Sequence, residues 1–234
     1  MKIAYRVARP DDVGRWDGDF AQLSVYRQWP GSMQGAHECV RRLRERGIPY
    51  VVHPVGFSLI GGPEDVEAVK MMAGLSDMAL ILHDERAPGG GRIEGDLEAR
   101  FRKALDELER IVPVSLENAL NTADAPWFWE RFARSVTIDI GHIEGAGLVS
   151  TEFVQNLPDS IVNKIEFVHM HCNATLRGGL TDHWPLREGC RELEALRLLL
   201  GRKRDLSVIL EINEVEEMND SIELLRKLGR EFEG

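Results

Sequence analysis

Short apolar, β-branched runs recur along this chain, separated by charged stretches with helical spacing. The runs are KIAYRV (2–7), QLSVYR (22–27), PYVVH (49–53), DMALILH (77–83), VPVSLE (112–117), SVTIDI (135–140), KIEFVHMH (164–171) and LSVILEI (206–212). Each spans five to eight residues and reads as a strand. Between them, AHECVRRLRERG ends in Gly47, which suits a helix C-terminus, and PEDVEAVKMMAG opens with Pro63 and two acids, which suits a helix start. DLEARFRKALDELERI places Leu97, Phe101, Leu105 and Leu108 at helical spacing, and DSIELLRKLGREF repeats that pattern.

Eight strands alternating with helices imply parallel pairing, and eight is the number that closes a (β/α)8 TIM barrel. The predicted class is therefore α/β. Residues 8–21, ARPDDVGRWDGDFA, are too short for a full helix, so the first βα unit is predicted to be abbreviated. An open doubly wound sheet is the competing arrangement, but no Gly-rich phosphate loop follows the first strand. APGGGRIEGD (87–96) reads as a loop and not a boundary, because the alternation resumes beyond it. Residues 1–234 are expected to form one domain.

Composition narrows the possibilities. Lys and Arg number 29 against 39 Asp and Glu, a formal charge of -10, which argues against a broad phosphate-binding surface. Cys39, Cys172 and Cys190 are too few and too scattered for a disulfide framework or a Cys-type zinc site. No long apolar stretch or secretory h-region is visible, so a reduced, cytoplasmic protein without a membrane partner is expected. Trp127, Trp129, Met71 and Met72 read as packing residues, Trp184 as either packing or substrate contact, and GRKRD (201–205) as a solvated helix end.

The strand ends carry the chemistry. Successive strands close on His53, His83, Glu117, Asp139, His169 and Glu211, with His142 three residues after Asp139. Asp, Glu and His fill about one position in five, so six such endings in a row have a chance probability on the order of 10⁻³ in a barrel register. In a barrel these ends meet at one mouth, where buried carboxylates are costly unless a cation neutralises them. Each residue also has a structural reading. Glu117 could cap a loop, His53 could hydrogen-bond a loop beside Pro54, and Asp84 and Glu85 could draw His83 into a structural bond. His169 and His171 share a strand face, so one could orient the other.

SLEN, TIDIGH, FVHMH, DHWPLREG and VILE, in this order, resemble the xylose isomerase-like barrel superfamily over residues 49 to 215. That group contains sugar isomerases and epimerases and the endonuclease IV enzymes that cut DNA at abasic sites. The resemblance implies a divalent cation (Zn, Mn, Mg or Co) on Glu117, Asp139, His169 and Glu211, with His171 behind His169. It implies one ion, with two or three possible. His53 and His83 would hold a second with Glu117, and His142 with His183 a third. Thr181 stands where the superfamily's Asp would be, with Asp182 one place off register and Arg187 replacing a Gly. Asp182 and Trp184 are expected beside the substrate.

Three readings remain open. A metal-dependent sugar or sugar-phosphate isomerase/epimerase would work through an enediolate, with Glu117 and Glu211 as acid/base pair and a small carbohydrate as substrate. An endonuclease IV-like phosphodiesterase is favoured by His53 and His83 and disfavoured by the acidic balance. A non-catalytic ligand- or metal-binding barrel would have no use for both Glu117 and Glu211.

Overall fold

In the computed structural model, residues 1–176, 179–213 and 215–232 are described. Eight parallel strands close a barrel: β1 (Lys2–Val7), β2 (Phe20–Tyr26), β3 (Tyr50–Val55), β4 (Leu80–His83), β5 (Val114–Glu117), β6 (Ser135–Asp139), β7 (Ile165–Met170) and β10 (Ser207–Leu210), with β10 returning to pair with β1. A short antiparallel hairpin, β8 (Cys172–Leu176) with β9 (Gly179–Trp184), is inserted after β7. The period-two pattern of its flanking residues merged with the β7 run, which concealed the hairpin from the sequence.

Helices α1 (Ser32–Glu45), α2 (Pro63–Leu75), α3 (Gly95–Glu109) and α4 (Ala125–Phe132) return the chain between the earlier strands. Short helices α5 (Ile140–Gly145), α6 (Ser150–Asn156) and α7 (Asp159–Val162) follow β6, and α8 (Arg191–Arg202) and α9 (Met218–Arg230) flank β10. Only one 3-10 turn, Pro10–Asp12, lies between β1 and β2, so the abbreviated first unit is present. None of the helices among the described residues is long and apolar enough to cross a membrane.

Alternation along each strand sorts side chains to two sides of the wall. The outer side joins the helices in the main core, where Phe101 packs edge-on to Phe132 and Trp129 is fully buried. The inner side forms a separate apolar plug of Ala4, Phe20, Val51, Ala79, Ile81, Phe167 and Ile209 at the N-terminal end of the barrel. Above the plug, Ser115 and Thr137 share a buried hydrogen bond of 2.7 Å. One inward position further along, the chemistry begins.

Candidate metal centre

The inward residues that follow the plug are His53 after Val51, His83 after Ile81, His169 after Phe167 and Glu211 after Ile209, with Glu117 two beyond Ser115 and Asp139 two beyond Thr137. Strand register pairs His83 with Glu117 and Asp139 with His169, while Glu117 pairs with Thr137 and His169 with Ile209, so the stagger of the barrel raises the row by one inward step at β6 and again at β10. All but His83 are buried.

Glu117 is the hub. Its Oε2 lies 3.4 Å from His53 Nε2 and 3.8 Å from His83 Nε2, and its Oε1 lies 3.2 Å from His169 Nδ1 and 3.5 Å from His142 Nδ1. His169 Nδ1 is also 3.8 Å from both Asp139 Oδ2 and Glu211 Oε2. Both Glu117 oxygens, Asp139 Oδ2 and His169 Nδ1 are buried without any hydrogen-bond partner among the described residues. Such atoms are costly to bury. Two ligands of one zinc at about 2.0–2.1 Å stand roughly 3.3 Å apart in a tetrahedron, close to the spacings here. Groups that bring three ligand atoms within 4.8 Å of one another include His53–Glu117–His169, Glu117–Asp139–His142, Asp139–His169–Glu211 and His142–His171–His183. The donor set therefore fits a borderline divalent cation, and its extent has room for more than one.

The imidazoles are oriented from behind. His53 Nδ1 donates to the Ile81 carbonyl at 3.0 Å, which leaves Nε2 turned to Glu117. His142 Nδ1 lies 3.1 Å from the Asn118 carbonyl, while its backbone N–H donates to Asp139 Oδ1 at 2.6 Å. His169 Nε2 donates to Gln22 Oε1 at 2.7 Å, and the same Gln22 amide donates through Nε2 to Glu211 Oε1. His171 is fully buried with Nε2 3.3 Å from Asp139 Oδ1, and its Nδ1 accepts from the His183 N–H at 3.1 Å. A Cβ on Gly141 would stand 2.2 Å from the His171 ring, so glycine in DIGH makes room for that imidazole.

The hairpin supplies the outer edge. His183 adopts φ 59°, a left-handed conformation uncommon outside glycine, and its Nε2 comes 3.5 Å from Glu211 Oε2. Asp182 pairs with His183 Nδ1 at 3.0 Å from a largely exposed position. Trp184 packs against the main core and does not line the cavity described below. The side chain of Thr181 lies outside the described residues. Asp84 and Glu85 turn away from His83: Asp84 accepts the backbone N–H groups of Ala119, Leu120 and Asn121, and Glu85 holds Leu59 and Ser58. The chain also gathers Cys172, Cys190 and Glu192 within 4.8 Å beside the hairpin, a grouping that the scattered cysteine spacing did not suggest.

Electrostatics tie the cluster together. Burial pushes the Glu117 pKa up, but His169, His83 and His53 outweigh it and hold the carboxyl well below its ordinary range. Glu211 and Asp139 are likewise lowered against burial, by His169 and His183 for the one and by His142 and His171 for the other. Burial drags His83 down to about 4, whereas for His169 burial is outweighed by Glu117 and Glu211, and its pKa rises to about 9. Imidazoles thus surround three buried carboxylates, and a cation bound among them would displace protons from the ligands.

A cavity of about 260 Å³ opens over this cluster. His53, His83, His142, His183 and Glu211 line it, together with Arg6, Tyr26 and Trp29. Glu117 is fully buried beneath and does not reach the cavity. Gln22, Asn118 and Arg6 were not expected from the sequence. Asn118, inside SLEN, accepts the Asp139 N–H and donates to the Asp139 carbonyl. A buried amide on an inward strand position, as at Gln22, is the signal that was available.

The fold is a (β/α)8 TIM barrel with a cluster of candidate metal ligands at the ends of its strands. No protein-family model and no curated protein matches the chain. Among solved structures, a D-tagatose 3-epimerase-like protein is similar at 16% identity and a TM-score of 0.69, over 99% of this chain and 98% of that one. A xylose isomerase-like TIM barrel protein from Mycobacterium smegmatis, in complex with magnesium, is similar at 12% identity and 0.63, over 99% and 96%. D-psicose 3-epimerase with D-tagatose from Clostridium cellulolyticum H10 is similar at 11% identity and 0.59, over 98% and 99%. At these identities the likeness establishes the fold.

Proposed function

We propose that the protein is a metal-dependent sugar isomerase or epimerase. The observation that carries this reading is a small cavity whose floor joins Glu211 to Glu117, Asp139 and His169, with buried ligand atoms that lack hydrogen bonds. The similarity of the fold to sugar epimerases supports it. Glu117, Asp139, His169 and Glu211 would hold the cation. When bound, it supplies Lewis-acid stabilisation of the negative charge that develops on the substrate's oxygens.

The geometry divides the expected acid/base pair. Glu211 lines the cavity, which supports it as the base that would take a proton from the carbon beside the carbonyl and return it. Its Oε1 is fixed by Gln22 and its Oε2 lies near His183, which can accept or supply the proton from the hairpin side. Glu117, covered by His53, His83 and His169, is better placed to hold the cation than to meet substrate. The cavity is smaller than the roughly 300–1,000 Å³ of drug-sized ligand sites, which suits a monosaccharide and not a polymer.

The test is solvent-deuterium incorporation. Metal-loaded protein incubated in D2O with a panel of ketoses and aldoses is expected to place deuterium beside the carbonyl, followed by NMR, and Glu211→Gln to abolish it. Absence of exchange across the panel with any of manganese, magnesium, cobalt or zinc would overturn the reading.

A second reading is favoured by one observation: His53 and His83 both direct Nε2 at Glu117 Oε2, which a single ion on the other ligands does not need. Two or three zinc ions per chain and hydrolysis of a simple phosphodiester, without deuterium exchange, would establish phosphoester chemistry in place of isomerisation.

A further inference from the structure

Arg6, Tyr26 and Trp29 bring a second chemistry to the cavity lining, which proton transfer does not use. Arg6 lies two residues beyond Ala4, a member of the inner plug, so it faces the barrel interior, level with Gln22 on β2. Inward positions at the mouth otherwise supply imidazoles, carboxylates or neutral groups; β1 alone among the barrel strands described brings a guanidinium there.

That guanidinium is held by neutral acceptors. Arg6 Nη2 donates to the Ile212 carbonyl at 3.2 Å and to Asn213 Oδ1 at 2.5 Å. Asn213 is itself fixed, its N–H donating to the His183 carbonyl at 3.0 Å. Among the described residues Arg6 forms no ion pair, in contrast to surface arginines such as Arg92 on Asp124 and Arg131 on Glu98. Among the described residues it is therefore positioned by neutral acceptors. Beside it Tyr26 and Trp29 stack with ring centroids 4.1 Å apart at 27°, and Trp29 remains 41% exposed. A planar fork with full charge beside an exposed ring is suited to an oxyanion on a small hydroxylated skeleton.

We infer that Arg6, with the Tyr26–Trp29 stack, forms an oxyanion subsite, and that the substrate is an acidic or phosphorylated monosaccharide. Its carbonyl end faces Glu211 and the histidines, and its carboxylate or phosphate sits on Arg6. This rests on the isomerase/epimerase reading for the sugar but not for the anion. It also accounts for a cationic residue in the mouth of a chain whose formal charge is -10.

Calorimetry separates the two. D-fructose 6-phosphate, D-fructose and D-glucuronate are titrated into metal-free and zinc-loaded protein, wild type and Arg6→Gln, with Arg6→Lys as the conservative variant. The wild type is expected to bind at least one of the two anionic probes more tightly than fructose in both metal states. Arg6→Gln should lose about ten- to a hundred-fold for that probe, with fructose unchanged and Arg6→Lys intermediate. Preference for glucuronate identifies a carboxylate, and preference for the phosphate ester a phosphate. Equal binding of charged and uncharged probes, or Arg6→Gln binding like wild type, overturns the subsite. Because the metal-free arm needs no turnover, selective anion binding without deuterium exchange would sink the isomerase reading alone. Exchange on a ketose phosphate or uronate that Arg6→Gln leaves untouched would sink the subsite alone.

Discussion

The two ends of the barrel interior differ by a single inward step along the same strands. At the lower end stand Val51, Ile81, Phe167 and Ile209; one step up stand His53, His83, His169 and Glu211. Strand pairing, twist and packing against the helices are common to both levels, so the backbone does not distinguish them. The lower residues stabilise the fold by burying apolar surface. Apart from His83 the upper ones are buried just as deeply, yet at that level His169 Nδ1, Asp139 Oδ2 and both Glu117 oxygens have no hydrogen-bond partner among the described residues. The lesson is that burial alone does not report on stability: the upper level carries a desolvation cost that the proposed cation would offset.

The sharpest way to break this contrast is to truncate the plug. Phe167, which is buried and tilts against Phe20 at 6.3 Å, fills the barrel's lower end. Phe167→Ala should cost about 3–5 kcal/mol of unfolding free energy, through lost transfer energy and a cavity. Urea denaturation of the metal-free protein measures it. A cost below about 1 kcal/mol would mean that the lower level is not the packed end.

One step up, Glu211→Gln should do the reverse. It removes one of three carboxylates crowded around His169, which keeps Glu117 and Asp139 as counter-charges, so the metal-free loss is expected to stay below that of Phe167→Ala. Affinity for zinc or manganese, followed by calorimetry and elemental analysis, should fall about a hundred-fold, and the drop in melting temperature that chelator is expected to cause in metal-loaded wild type should be lost. Full metal retention by Glu211→Gln would count against Glu211 as a ligand. A large loss of metal-free stability would count against the two-level contrast.

That contrast also explains what the sequence made legible. Strands, closure and the upper-level residues were readable because a strand end in a parallel barrel has one destination. Asp139 in TIDIGH and Glu211 in VILEI interrupt apolar runs, and such an interruption is expensive anywhere but the mouth. The hairpin was not readable, since CNATL and GLTDHW continue the period-two pattern of β7 with no strong turn signal except Gly178 and Gly179. Gln22 and Arg6 were missed for a different reason: one neutral amide and one arginine in apolar strands look like ordinary exposed positions until closure shows which side they face. Nor could spacing reveal that Glu117 lies below the cavity and Glu211 within it. Both close a strand, and only the surrounding imidazoles separate them.

Gln22 sharpens the comparison from behind the ligands. It bridges His169 and Glu211 through one amide, fixing the imidazole tautomer and the carboxylate rotamer together. Gln22→Met preserves volume and removes both bonds. Metal affinity is expected to drop about ten-fold, at the lower end of the range for groups that orient ligands. A structural role alone would lower stability and leave the affinity of the folded protein unchanged, so the two measurements taken together decide.

The smallest effect should come at the rim, where burial ends. Asp182 and Asp139 both touch a histidine of the cluster, at 3.0 Å and 3.3 Å respectively. The similarity ends there, because the Asp182 side chain is 58% exposed and Asp139 is fully buried. Water screens the outer pair, which places it among surface ion pairs of small net value, whereas the inner carboxylate has no solvent to fall back on. Asp182→Asn keeps a hydrogen-bonding oxygen near His183 Nδ1 and removes only the charge. Metal affinity should change by less than about three-fold, since exposed pairs contribute under roughly 1 kcal/mol. Asp139→Asn, titrated in parallel, should lose at least ten times as much. If the two variants lose metal equally, the hairpin carboxylate is a ligand despite standing one place off register, and the boundary between buried site and solvated rim lies further out than Glu211.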